Sequence, residues 1–115
     1  MSVDSKLLLI IKSNGIGEGE PDLGERLMGS FLKMLLEGER LPARMIFMNA
    51  GVFLTTEGSP HLETLARLEE AGTDIASCGT CLDYYGRREH LAVGRPGDMR
   101  ETVRSMLEHD TVRVF

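Results

Sequence analysis

Lys6-Leu7-Leu8-Leu9-Ile10-Ile11-Lys12 is an unbroken apolar run between two lysines. A strand with one wet face alternates polar and apolar residues, whereas a strand covered on both faces of a parallel sheet is apolar throughout. The run therefore reads as the first strand of a parallel sheet. The glycine-rich loop Ser13-Asn14-Gly15-Ile16-Gly17-Glu18-Gly19-Glu20-Pro21 follows, and Leu23, Leu27, Phe31, Met34 and Leu35 then recur at helical spacing up to Gly38. That spacing predicts a helix from about Asp22 to Glu37.

The same alternation continues down the chain. Arg44-Met45-Ile46-Phe47-Met48 is a second short apolar run, closed by Asn49-Ala50-Gly51. Ser59-Pro60 supplies a cap and first-turn proline for a helix reaching about Ala71, and Gly72 stops it. Thr73 to Ser77 reads as a third strand running directly into Cys78, with a short helix over Thr80 to Tyr85 behind it. Leu91-Ala92-Val93 reads as a brief fourth strand. Asp98-Met99-Arg100-Glu101 has the form of a capping box for a helix carrying Met99, Val103, Met106 and Leu107 on one side, and Thr111 to Phe115 alternates like a final edge strand.

Strands alternating with helices imply an α/β domain, an open and mostly parallel sheet of about five strands covered on both sides. The 115 residues suit a single domain over 1–115, with 42% hydrophobic and 27% charged residues giving no reason to expect a disordered tail. Ligands of such sheets bind at the carboxyl ends of the strands. The loops at Gly15, Asn49, Cys78 and Gly94 are all expected there.

Acidic residues outnumber basic ones by 18 to 13, and the basic ones form no stripe, which argues against nucleic acid as a partner. No signal peptide or membrane span is read, so a cytoplasmic location is expected. In a reducing compartment Cys78-Gly79-Thr80-Cys81 points to redox, persulfide or metal chemistry rather than to a structural disulfide. His61, His90 and His109 are scattered and no second Cys-x-x-Cys exists, so neither a zinc site nor another cofactor is expected. A thioredoxin-like reading lacks that motif's flanking aromatic and proline residues. Gly15-Ile16-Gly17 and Gly19 match no phosphate-binding fingerprint and read as a turn. The seven methionines read as core filler.

A cysteine at a helix N-terminus meets free amide hydrogens and the positive end of the helix dipole, which favour its thiolate. Cys78 is expected in that position, with Gly79 leaving its sulfur approachable, the amides of Gly79, Thr80 and Cys81 around it, and Arg95 adding positive charge from a loop after the fourth strand. The opposing reading makes both cysteines buried apolar residues. Gly51-Val52-Phe53-Leu54 is apolar where a surface loop is expected, which suggests a subunit interface or the lining of a small-ligand pocket.

Asn49-Ala50-Gly51-Val52, Ser77-Cys78-Gly79-Thr80-Cys81-Leu82 and Val93-Gly94 followed by Met99 resemble the DsrE-like family, related to DsrE, DsrF and TusD. The similarity spans nearly the whole chain and is closest to the DsrE-like domain of YedF-type selenium metabolism proteins. The resemblance implies a three-layer α/β/α fold, homo- or hetero-oligomers and a role in sulfur relay. Sulfur-transferring members carry a cysteine eight positions before a glycine, as Cys78 precedes Gly86, which makes Cys78 the candidate persulfide carrier and Cys81 an accessory or resolving thiol. Ligand contacts are expected from Gly15, Asn49, Gly51, Gly79, Thr80 and Arg95. The chain departs from those members in carrying Tyr84 and Tyr85 where they favour arginines. YedF-type proteins carry a TusA-like domain ahead of this one, none is read in these 115 residues, and a separate TusA-like carrier or a cysteine desulfurase is the expected partner. The leading expectation is a sulfurtransferase-like carrier of sulfur or selenium. The alternatives are a binding or assembly subunit and a dithiol redox protein using Cys78 and Cys81.

Overall fold

The computed structural model describes residues 2–115. Five strands form one parallel sheet: β1 (Ser2–Ile11), β2 (Arg40–Phe47), β3 (Asp74–Cys78), β4 (Arg95–Gly97) and β5 (Thr111–Val114), in the order β4-β3-β2-β1-β5. The helices between them are α1 (Pro21–Glu37), α2 (Leu62–Glu70), α3 (Gly79–Tyr84) and α4 (Met99–Glu108), giving the expected three-layer α/β/α arrangement. Among the described residues no helix is long and apolar enough to cross a membrane.

The Leu7–Ile11 run is central, flanked by β2 on one side and β5 on the other, which is why it carries no alternation. Its odd and even residues feed different cores. Leu9 and Ile11 join Met45, Phe47 and Ile75 under α1 and α2, while Leu8, Ile10 and Ile46 form a smaller cluster on the opposite face. β1 starts earlier than the apolar run, because Ser2–Asp4 pairs with Arg40–Pro42 before the register shifts between Asp4 and Leu8. Pro42 stands beside that irregularity, before β3 begins to pair at Arg44, so its missing N–H costs the ladder little.

Several expectations are corrected. Leu91–Val93 is not a strand: Leu91 makes an antiparallel bridge with Thr56, and the Ala92 and Val93 amides bond the Thr55 carbonyl. The fourth strand is Arg95–Gly97, and Gly94 precedes it, so Gly94 lies at the amino end of the sheet rather than with Gly15, Asn49 and Cys78 at the carboxyl end. Its φ of 82° and the closeness of the Ile75 carbonyl explain the glycine. α2 begins at Leu62, because Ser59 Oγ accepts the His61 amide in a turn ahead of the helix.

The buried face of α1 is Gly24, Met28 and Leu32, whereas Leu23, Leu27 and Met34 are exposed. Its rotation is fixed by a glycine contact: the Ile16 amide bonds the Gly24 carbonyl at 3.0 Å, and a Cβ on Gly15 would stand 2.9 Å from the Gly24 carbonyl carbon. The methionines divide likewise, Met28 and Met45 being core and Met34, Met99 and Met106 exposed. Val52 and Leu54 are also core residues of the single chain, inside a 3-10 turn over Asn49–Leu54, so the expected interface at this run is withdrawn for those two side chains.

Candidate functional site

β3 delivers Cys78 as its last residue, and the chain turns there into α3. The Ser77 hydroxyl beside it is 2.7 Å from that of Thr55, tying the strand end to the segment after β2. Gly79 stands at a crowded junction. A Cβ there would stand 2.7 Å from Nη2 of Arg88, whose guanidinium is held over this position by Asp83 at 2.6 and 3.1 Å.

Gly79 therefore does not expose Cys78. That residue is only 8% exposed, and it is Cys81, one turn into α3, that reaches the surface. Cys81 lines a cleft of about 380 Å³ with Asn49, Thr80, Tyr84 and Tyr85. The Asn49 amide donates to its sulfur at 3.1 Å. Asn49 has φ 50°, the left-handed region in which asparagine is the best tolerated residue after glycine. The Tyr85 hydroxyl donates to Asn49 Oδ1 at 3.0 Å, and the Tyr85 ring packs on Phe53 with centroids 4.7 Å apart. A chain of contacts thus runs from Phe53 through Tyr85 and Asn49 to Cys81.

Burial pushes the Cys81 thiol up from its ordinary pKa. Its hydrogen bond with Cys78 and the Cys78 charge push the same way, and the Asn49 N–H opposes them. Among the described residues no three His, Cys, Asp or Glu side chains gather as a metal site.

The structure brings together Cys78, Cys81, Asn49, Gly79 and Thr80 of the expected set. It does not bring in Arg95, which is the first residue of β4 rather than part of a loop behind it. The Arg95 guanidinium is occupied at the far end of β3 by Asp74 at 2.8 Å and Glu101 at 2.5 Å, so the cation beside the thiol segment is Arg88. Gly15 backs onto α1, and Gly51 is pressed against the Ile11 carbonyl, where no side chain fits. Arg88 and the contacts of Tyr85 escape the sequence reading, whereas Phe53 lies in the run expected to form an interface or line a pocket, and it lines a cleft. The only signal for Tyr85 is that a tyrosine pair stands where arginines were expected.

No family model matches this sequence, and no curated protein matches it. Solved structures do. The chain is similar to the ychN protein from E. coli, at 19% identity and a TM-score of 0.67, over 97% of this chain and 100% of that one. It is equally similar in extent to MTH1491 from Methanobacterium thermoautotrophicum, a protein of unknown function, at 14% identity and a TM-score of 0.70 over 97% and 100%. At such identities the likeness is one of fold, and the fold is DsrE/YchN-like.

Proposed function

We propose that the chain is a sulfurtransferase-type carrier of sulfur or selenium that holds a persulfide on Cys78. The observation that carries the reading is the thiol pair at the end of β3, one sulfur sheltered and the other at the mouth of a cleft under a fixed backbone N–H. In the transfer, a thiolate attacks the terminal sulfur of a donor persulfide, the donor S–S bond breaks and the donor leaves as a thiolate. An acceptor thiolate reverses the step, so the cycle consumes no oxidant or reductant. An incoming donor meets Cys81 first. Cys81 lines the approach as the accessory thiol, and the Cys78 thiolate takes the sulfur, where burial keeps it from water. A cysteine desulfurase or a TusA-like carrier fits the donor role.

Intact-protein mass spectrometry after incubation with a cysteine desulfurase and cysteine tests this. Wild type gains one sulfur atom, Cys81→Ser gains it more slowly, and Cys78→Ser gains none. Loading of Cys78→Ser at the wild-type rate would refute the assignment.

A second reading, an assembly role, is favoured by α4. Its sheet-facing residues are Thr102 and Ser105, with Ser105 Oγ accepting Arg44 Nη1 at 2.6 Å, while Met99, Val103 and Met106 form an exposed stripe beside the 82% exposed Leu107. This inverts the usual amphipathic arrangement and leaves the apolar stripe to a partner. A second copy fits it. Two α4 helices packed antiparallel about Val103 bring Arg100 of each toward the partner's Glu108 and oppose their dipoles. Sedimentation should show a self-associating wild type and a monomeric Val103→Asp, with persulfide loading unchanged. A monomeric wild type at 100-micromolar order of concentration would remove this reading.

A further inference from the structure

A second cleft, about 580 Å³, is not used by the thiols. It opens between Asn14 after β1, the first turns of α1, and the turn ahead of α2. Phe53 lines it and also packs on Tyr85, so the cleft is next to the thiol site but separate from it.

Charges of both signs line it, and among the described residues four of them make no ion pair: Arg87, Arg26, Asp22 and Glu25. The Arg87 guanidinium is fixed by neutral groups alone: Nε and Nη2 donate to Thr56 Oγ1 at 3.2 and 3.1 Å, Nη2 also donates to the Glu57 carbonyl, and the group lies 5.7 Å from the Phe53 ring centroid. Among the described residues no carboxylate comes within ion-pair distance of it, and Nη1 is left with donors to spare. Asp22 and Glu25, on α1, also line it: Asp22 has no ion pair and Glu25 only the Asn14 side-chain amide at 3.2 Å, Arg26 beside them has no ion pair either, and the Glu57 carboxylate is taken by His90 at 2.9 Å. His61, also in the lining, is held toward its neutral form by burial and by Lys33, with Glu25 opposing. A held cation sharing a cleft with two unmatched carboxylates does not suit a plain anion or a plain cation. It suits a molecule carrying both charges.

We propose that this cleft binds a small zwitterion of the α-amino acid type, free or as a short peptide, with its carboxylate on Arg87 and its ammonium on Asp22 and Glu25. A volume of this order is typical of small-molecule sites and admits either form. The site does not depend on persulfide chemistry, and its occupancy is measurable in a Cys78→Ser, Cys81→Ser background.

The test is a titration of the nitrogen-15-labelled protein with L-alanine, alanyl-alanine, propionate and ethylamine, followed by amide shifts around Asn14, Glu25 and Gly58. One zwitterion at least should bind saturably, with propionate and ethylamine at least tenfold weaker, and Arg87→Met and Asp22→Asn should each weaken binding at least tenfold. Asp22 is exposed near the start of α1, so its variant keeps the fold even where Arg87→Met does not. Binding of alanine but not alanyl-alanine would identify a free amino acid, and the reverse a peptide. The proposal is overturned by no saturable shift with either zwitterion, by propionate binding as tightly as alanine, or by Asp22→Asn binding like wild type.

Discussion

The two ends of β3 hold opposite kinds of chemistry about 13 Å apart, four residues at strand rise. At the amino end Asp74 is engaged by Arg44 at 2.8 Å and by Arg95 at 2.8 and 3.1 Å, and Glu101 accepts the remaining Arg95 donors. At the carboxyl end the Cys81 sulfur accepts one backbone N–H and lines a cleft, and Cys78, three residues before it, is buried. Saturated charges hold a structure and do little else. A sulfur with few partners beside an opening remains available to react. The difference teaches that the strongest electrostatics in this molecule mark its scaffold, and the site lies where interactions are fewest.

The sharpest way to break this contrast is a crossed pair of variants. Cys78→Ser should lower sulfur loading at least about 100-fold while changing stability little, since serine is nearly isosteric. Asp74→Asn should leave loading within about twofold and cost about 1–2 kcal/mol, because two guanidinium groups lose a half-buried carboxylate. Mass spectrometry and urea unfolding read the two effects. Equal loss of loading in both variants would mean that the ends of β3 are coupled.

Acid sharpens the same contrast. The Arg95 hydrogen bonds hold both Asp74 and Glu101 below their ordinary pKa values. A carboxylate with a depressed folded-state pKa contributes stability above its unfolded value and loses it as pH falls through the folded one. Wild type should therefore lose stability as the pH drops below about 4, and Asp74→Asn should lose less over that range, having already lost it at neutral pH. Parallel curves from urea unfolding at pH 7 down to 3 would place the acid-sensitive carboxylates elsewhere.

How much of this was legible follows from what each residue contacts. The Leu7–Ile11 run and the β3-to-α3 handover could be read, since sequence-local apolar runs and a strand-end cysteine carry their own signal. β4 could not: Arg95-Pro96-Gly97 is a three-residue edge strand with no strand-favouring side chain, and the more apolar Leu91–Val93 beside it drew the assignment. Nor could the rotation of α1, because it is set by the contact of Gly15 and Ile16 with Gly24, to which hydropathy is blind. At the site, both cysteines were found, but Cys78, expected to be approachable beside Gly79, is buried. The partners at this site are distant in sequence: the Cys81 sulfur is bonded by the N–H of Asn49, 32 residues earlier, and Arg88 lies beside Gly79.

That turn gives the smallest effect and the finest test. The Tyr85 hydroxyl is the side-chain partner of Asn49, and Asn49 supplies the one interaction that lowers the Cys81 pKa against burial and Cys78. Tyr85→Phe removes a partly exposed hydrogen bond, so its cost to stability should stay below about 1 kcal/mol. Asn49 then holds its left-handed φ with less support, and its N–H is less firmly aimed at the sulfur. The thiolate of Cys81 should become scarcer, slowing its alkylation by iodoacetamide at pH 8 by about twofold, the change expected of a small rise in pKa. The experiment is run on Cys78→Ser so that only one thiol reports. If Tyr85→Phe instead accelerates alkylation, the ring and its hydroxyl act as a lid over Cys81, and steric access rather than the Asn49 N–H governs the reactivity of this end of the sheet.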